Sequence, residues 1–147
     1  METNELLQKE LTGDILKPYY EVYNELGYGF LERVYQNALF YELKSNGFKV
    51  EAQKRIPVYY KNMIVGDYFA DLIVNDSVIL ELKAVESLTK EHHYQIINYL
   101  RGTECEVGLV LNFGRKVQFM RRVYEIIKKK SANISVIRLY PRSIKQN

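Results

Sequence analysis

Two acidic residues and one lysine lie within apolar, strand-like segments, where charged side chains are unfavourable unless they have partners or a catalytic role. Asp71 lies in the segment IVGDYFADLIV, and Glu81 and Lys83 lie in VILELKAV. Because Lys83 follows Glu81 by two positions, both side chains project from the same face of a strand. The acids offer oxygen ligands to a divalent cation, and the ammonium group can orient water or neutralise developing negative charge. Such a set can hydrolyse a phosphodiester bond.

The loop between the two segments decides whether the acids meet. Residues 75–77, Asn-Asp-Ser, predict a hairpin with a three-residue loop, in which Val74 pairs with Val78. Asp71 then lies opposite Glu81, with Cβ atoms ~4.5–5.5 Å apart. A two-residue loop would shift the register and separate the acids. Two bare carboxylates repel each other, and a divalent cation removes that repulsion. The three residues alone leave open the alternative of a salt-bridge cluster on a solvated sheet face.

Hydrophobic periodicity predicts the elements that position these residues. Helical spacing covers residues 13–26 and 30–46, with Asp14 or Thr12 as a start and Pro18 expected in the first turn. The following elements are strands at 48–60, 64–74 and 78–85, a helix at about 90–101, strands at 106–113 and 116–124, and a short helix and last strand within 125–140. These elements predict an α/β fold in which helices flank a central mixed β-sheet.

Length and composition limit which classes of protein this chain can belong to. The 147 residues predict a single domain over 1–147, and no apolar run approaches the ~20 residues of a membrane span. The single cysteine, Cys105, excludes an internal disulfide and favours a reducing, cytoplasmic location. One cysteine and two histidines cannot form a Cys/His zinc cage. A metal is therefore expected to be a hard ion on oxygen ligands, such as Mg²⁺ or Mn²⁺.

Charge is distributed unevenly along the chain. The net charge is +3, but the segment from Gly114 to Asn147 holds ten basic residues and one acid, a formal charge of +9, which leaves −6 on residues 1–113. A basic third favours a polyanionic partner such as nucleic acid, while the alternative is a solvated face without a partner. The candidates for phosphate contacts are Arg115, Lys116, Arg121, Arg122 and the run Lys128–Lys130.

Several motifs together resemble a known family. Asp71, followed ten residues later by Glu81-Leu82-Lys83, resembles the pattern of the PD-(D/E)XK nuclease superfamily. The segment GFLERVY, Gly29–Tyr35, matches the G-x-x-E-x-x-Y motif of its GxxExxY family. HHYQIINYL and VGLVLNFG resemble the family's glutamine-bearing helix and the strand after it. The resemblance covers about residues 14–124 and implies a restriction-endonuclease-like core, with a basic extension at 125–147 beyond the pattern.

The resemblance also implies roles for individual residues. Asp71 and Glu81 would bind metal, and Lys83 would assist the attacking water. Glu32, the glutamate of the G-x-x-E-x-x-Y motif, would reach the same metal from the second helix. From the residues alone, Glu32 could equally be an exposed glutamate paired with a nearby basic side chain.

Further roles fall on the third helix and on the motif turn. Gln95 and Tyr99 are four residues apart, hence on one helical face, and resemble the Q-x-x-x-Y element that some superfamily nucleases place beside the active site. His92, three residues before Gln95, could join that face. Gly29 and Tyr35 are expected to serve the turn and the packing. Where family members often carry a histidine in the first helix, this chain has Tyr23.

The function expected from these observations is a Mg²⁺- or Mn²⁺-dependent nuclease that acts on DNA or, second, on RNA. Neither a helix-turn-helix nor zinc-finger spacing is present, so a homodimer or a partner protein could be needed to select the target. One alternative is a nuclease-fold module that binds nucleic acid without turnover. Another is a protein-interaction module that uses its 13 tyrosines and its basic segment.

Overall fold

The computed structural model describes residues 4–125, and side chains from Gln8 onwards. The elements in chain order are α1 (Asn4–Leu26), α2 (Glu32–Ser45), β1 (Val50–Tyr60), β2 (Met63–Val74), β3 (Val78–Lys83), α3 (Lys90–Arg101), β4 (Val107–Phe113) and β5 (Val117–Val123). None of the helices in these residues is long and apolar enough to cross a membrane.

The five strands form one mixed sheet in the order β1-β2-β3-β4-β5. Strands β3 and β4 pair in parallel, and every other neighbouring pair is antiparallel. A parallel pair requires a crossover connection, which α3 supplies. The predicted α/β class, with helices flanking a mixed central sheet, is confirmed.

The sheet separates two hydrophobic clusters. On one face, the helices α1 and α2 pack through residues such as Tyr19 and Leu39, which contact sheet residues such as Leu80. On the other face, α3 packs through Ile96 and Leu100. Strands β3 and β4 are buried on both faces, which explains why their sequences are nearly continuous apolar runs.

The hairpin between β2 and β3 has the predicted register. Val74 pairs with Val78, and the Ser77 amide donates to the Val74 carbonyl at 2.9 Å. Asn75 and Asp76 adopt positive φ angles of 51° and 55°, a conformation that Asn and Asp tolerate better than most residues. The three-residue loop therefore forms as the sequence predicts.

Several predicted boundaries differ from the observed ones, most of all at the start of α1, and one prediction lies outside the described residues. Helix α1 begins at Asn4, so Pro18 lies inside it and not in its first turn. Thr12 is an interior helical residue, because its hydroxyl donates to the Gln8 carbonyl at 2.8 Å. Strand β3 ends at Lys83 because the Asn112 side chain, not a strand, satisfies both backbone groups of Val85. The elements predicted for 126–140 lie beyond the described residues.

Candidate active site

Asp71 and Glu81 lie where β2 and β3 separate. The ladder between these strands comprises three residue pairs and ends at Leu72 and Leu80, and the next position on each strand is an acid. The Asp71 amide donates to Glu81 Oε2 at 3.1 Å, and the Leu82 amide donates to Asp71 Oδ2 at 2.8 Å. Each carboxylate therefore accepts a hydrogen bond from a backbone amide of the other strand, and the predicted juxtaposition of the two acids is present.

This carboxylate pair is largely shielded from water. Glu81 is 4% exposed, and its burial, with the charge of Asp71 as the second cause, raises its pKa to about 8. Burial also raises the pKa of Asp71, opposed by the hydrogen bond from Leu82. Among the basic side chains of residues 4–125, none forms an ion pair with either acid. A salt-bridge cluster on a solvated face is thereby excluded for Glu81.

Lys83 and Glu32 lie near the pair without bonding to it. The positive charge of Lys83 lowers the pKa of both acids, and the negative charge of Glu32 raises both. Within the described residues, no three His, Cys, Asp or Glu side chains come together closely enough to hold a metal ion. Glu32 is therefore placed in the electrostatic vicinity of Asp71 and Glu81 but not in a joint ligand set with them.

The turn before α2 is built around the G-x-x-E-x-x-Y motif. Gly29 has a φ of +112°, a conformation that favours glycine. The buried Tyr35 hydroxyl donates to the Gly27 carbonyl at 2.6 Å and accepts from the Phe30 amide at 3.1 Å. These bonds fix the turn from which Glu32 begins α2. The motif glycine and tyrosine thus have the structural roles expected of them.

Two glutamines that the sequence analysis missed support Asp71. On β1, Gln53 lies between the two residues that pair with the β2 neighbours of Asp71. The Gln53 side chain hydrogen-bonds Asp71 and lowers the pKa of Asp71. Its Nε2 also donates at 2.9 Å to Oε1 of Gln36, a buried residue one turn after Glu32 on α2. Gln53 has a φ of +54° in mid-strand, an uncommon conformation that often occurs at functional sites.

The opposite face of the sheet brings α3 to the site. Tyr99 is buried, and its pKa is raised well above the ordinary value, first by burial and then by the charge of Glu81. Its hydroxyl shares a side-chain hydrogen bond with Gln95, so the two residues form a pair beside the acids. His92 instead caps α3, since its Nδ1 accepts from the Thr89 amide at 2.9 Å. Burial and the nearby Lys83 lower the pKa of His92.

The predicted phosphate-contact residues do not form one surface. Arg115 and Lys116 are exposed in the turn between β4 and β5. The Arg121 Nε donates to Thr12 on α1 at 3.2 Å, whereas the Arg122 Nε donates to His93 on α3 at 2.6 Å. Arg121 and Arg122 therefore extend to opposite faces of the sheet. The lysines at 128–130 lie outside the described residues.

The carboxylate pair fits a hard divalent cation by its donor chemistry. Both donors are carboxylates, the oxygen ligands that Mg²⁺ and Mn²⁺ prefer. Each acid uses one oxygen for a backbone hydrogen bond, and each carboxylate oxygen has two lone pairs, so both acids keep acceptor capacity for a cation even with Gln53 bonded to Asp71. A bound cation would also offset the repulsion between two desolvated negative charges. Within residues 4–125, Asp71 and Glu81 are therefore the pair that could hold a metal.

Comparisons with known proteins concern the fold and the family of the chain. One solved structure, that of the protein SSO0001, shares 18% sequence identity with a TM-score of 0.51, over 71% of this chain and 57% of that protein. This likeness concerns the fold alone, and the chain spans little more than half of that protein's length. No curated protein shows significant similarity. The family model of the PD-(D/E)XK nuclease superfamily matches residues 9–123. The chain belongs to the PD-(D/E)XK nuclease superfamily.

Proposed function

We propose that this protein is a nuclease that hydrolyses phosphodiester bonds in nucleic acid with the help of Mg²⁺ or Mn²⁺. The observation that carries the proposal is the pair of adjacent acids formed by Asp71 and the buried Glu81. Two adjacent acids without a cationic partner destabilise a fold, so their presence at the junction of two central strands calls for a functional reason. Divalent metal ions are generally used by the superfamily to which the chain belongs.

In the proposed reaction, a metal held by Asp71 and Glu81 would supply Lewis-acid polarisation of the scissile phosphate and lower the pKa of a bound water. Lys83 contributes a positive charge beside both acids, where it can orient the water or neutralise charge on the phosphate. Tyr99 is protonated at neutral pH, as tyrosines ordinarily are, and burial raises its pKa further. With Gln95 as its partner, it can donate a hydrogen bond into the site.

We further propose that the chain belongs to the GxxExxY branch of the superfamily. The support is the motif itself: Gly29 adopts the left-handed turn, and Tyr35 ties that turn to the start of α2. Glu32 would then act on the metal from α2, directly or through water, since its charge is felt by both acids. The Gln36–Gln53 hydrogen bond would hold α2 in a fixed position relative to Asp71.

Nucleic acid would approach over the turn between β4 and β5. Arg115 and Lys116 are exposed there, so they are the first candidates for phosphate contacts. The guanidinium groups of Arg121 and Arg122 bond to α1 and α3 and have less freedom to reach a phosphate. We take DNA as the first substrate and RNA as the second, with a homodimer or partner protein as a possible means of target selection.

Cleavage assays on single- and double-stranded DNA and RNA with Mg²⁺ or Mn²⁺ test the proposal. We expect cleavage of at least one substrate, loss of cleavage in EDTA, and a decrease of about 100-fold or more in Lys83→Met. The matched control is Lys54→Met, which alters a lysine on β1, two strands away in the sheet, that pairs with Glu51 at 3.4 Å. The absence of cleavage on all four substrates, or full activity in Lys83→Met, would refute the proposed nuclease function.

A second candidate is a nucleic-acid-binding module without turnover. The observation that favours it is that Glu32 does not join Asp71 and Glu81 in a ligand set within the described residues. Such a module would bind nucleic acid in EDTA with an affinity that falls steeply with salt. Its binding would be unchanged in Lys83→Met, and no metal would produce cleavage.

A further inference from the structure

A cavity of about 270 Å³ lies at the carboxyl ends of β3 and β4, beside the candidate active site. Three segments line it: Tyr28–Phe30, Ala84–Glu86 and Phe113–Arg115. The first segment ends two residues before Glu32, and the second begins directly after Lys83. Because consecutive Cα atoms are only ~3.8 Å apart, the backbone that lines the cavity adjoins the backbone that carries Glu32 and Lys83.

The backbone around this cavity is held in place by specific contacts. The Asn112 side chain accepts from the Val85 amide at 3.0 Å and donates to the Val85 carbonyl at 2.9 Å. A Cβ atom at Gly114 would collide with that same carbonyl, so only glycine fits there. The Tyr23 hydroxyl donates to the Gly114 carbonyl. The cavity is thus preformed, as ligand sites usually are.

Two aromatic rings and a guanidinium group are available at the cavity. Tyr28 is 55% exposed, Phe30 is 47% exposed, and the Arg115 Cζ lies 5.4 Å from the centroid of the Tyr28 ring. Nucleic-acid bases stack on aromatic side chains and on arginine planes, and arginine also binds the adjoining phosphates. These three side chains together are suited to a base and its phosphate.

We propose that this cavity receives one unpaired base of the strand whose backbone crosses Asp71, Glu81 and Lys83. The proposal rests on the proposed nuclease function and narrows its substrate to single-stranded or locally unpaired nucleic acid. The volume is just below the ~300 Å³ at which pockets for larger ligands begin, so it suits one base. Glu86, which also lines the cavity, can accept a hydrogen bond from an exocyclic amino group such as that of cytosine or adenine.

Binding of short single-stranded oligonucleotides that carry 2-aminopurine tests the proposal, with the full chain in EDTA so that nothing is cleaved. We expect the fluorescence of one 2-aminopurine position to be quenched on binding. The dissociation constant should rise at least about 5-fold in Tyr28→Ala and stay near the wild-type value in Tyr28→Phe, because the ring provides the stacking. The matched control is Tyr60→Ala: Tyr60 is also 55% exposed, with the Lys61 Nζ 5.4 Å from its ring centroid.

Oligonucleotides with a single abasic site show which base contributes to binding at the cavity. An abasic site at the quenched position should weaken binding to the wild type but not to Tyr28→Ala, because the two changes remove the same contact. Equal affinities of Tyr28→Ala and the wild type, or equal losses in Tyr28→Ala and Tyr60→Ala, would overturn the proposal, as would the absence of quenching. Cleavage without any quenching would retain the nuclease and reject the base site. Tyr28-dependent quenching without cleavage by any metal would retain the base site and reject the nuclease function.

Discussion

Strand β2 carries two acidic residues, four positions apart, in opposite settings. Asp67 lies on the outer part of the strand, where its Oδ1 is 2.7 Å from the Nε of Arg55 on β1, and both side chains are well exposed. Asp71 lies at the inner end, where its cross-strand neighbour is the buried acid Glu81. The outer pair joins opposite charges in water, and the inner pair joins two acids, of which Asp71 is partly buried and Glu81 is buried.

The difference shows that the fold requires neither pair and that only the inner pair calls for a functional explanation. An exposed ion pair contributes ~0–1 kcal/mol, so the outer pair has little influence on stability or on activity. A buried like-charge pair destabilises the folded state unless protons or a cation compensate for it. The inner pair is therefore the one whose presence the proposed chemistry must explain.

The largest expected effect is on cleavage. Asp71→Asn and Glu81→Gln keep the shape of each side chain but remove a metal-ligating charge, so each should lower the cleavage rate by about 100-fold or more. Asp67→Asn, on the same strand, should stay within about 2-fold of the wild type. Rates measured under single-turnover conditions with Mn²⁺ check this contrast, and equal losses at positions 67 and 71 would remove the distinction between the two pairs.

The second effect is on the pH dependence of stability without metal. The folded-state pKa of Glu81 is about 8, above its value in the unfolded chain, so the folded protein binds the extra proton between roughly pH 4.5 and pH 8. The free energy of unfolding should therefore fall as pH rises through this window, by about 3 kcal/mol from Glu81 between pH 5 and pH 8. The raised pKa of Asp71 acts in the same direction.

Urea unfolding in EDTA at several pH values measures this slope. Glu81→Gln should flatten it and be more stable than the wild type at pH 8, because a neutral amide replaces a buried charge. Asp67→Asn should retain the wild-type slope, since its carboxylate lies in the exposed outer pair. A slope that is identical in the wild type and Glu81→Gln would show that Glu81 ionises without a penalty.

A third and smaller effect concerns the motif turn. Tyr35→Phe removes the hydroxyl that bonds Gly27 and Phe30, and should lower the free energy of unfolding by about 1–2 kcal/mol. The cleavage rate should also fall, because this turn positions Glu32 at the start of α2. Tyr41→Phe, on the same helix and 72% exposed, is the matched control and should change neither quantity. Thermal unfolding and single-turnover rates measure both effects, and a fully active, fully stable Tyr35→Phe would contradict them.

The smallest effect belongs to the outer pair itself. A double-mutant cycle on Arg55→Gln and Asp67→Asn should give a coupling free energy of ~0–1 kcal/mol that weakens with added salt. Chemical denaturation at low and high ionic strength measures it. A coupling free energy of several kcal/mol that does not change with salt would mean that the outer pair is not the weak, exposed ion pair described here.

Much of the inner site could be predicted from the sequence because it depends on strand parity and loop length. The three-residue loop set the register, and the register placed Asp71 opposite Glu81. Spacing along a helix likewise predicted that Gln95 and Tyr99 would form a pair. Gln36 could have been found by similar reasoning, since it lies one helical turn after Glu32.

Other features depend on tertiary contacts that local patterns do not contain. The positive φ of Gln53 in mid-strand has no local signal, because residues flanking it alternate as in an ordinary strand. The opposite directions of Arg121 and Arg122 follow from strand alternation, but their partners Thr12 and His93 lie on distant elements. By contrast, the early start of α1 has a local signal that the prediction missed, because Leu7, Leu11 and Ile15 recur at helical spacing.

The most direct test of the central claim is calorimetric titration of the protein with Mn²⁺. The account predicts saturable binding to the wild type and to Asp67→Asn, and its loss in both Asp71→Asn and Glu81→Gln, since the inner pair is the proposed metal site. Binding that is unchanged in Asp71→Asn and Glu81→Gln, or no binding to the wild type, would contradict it.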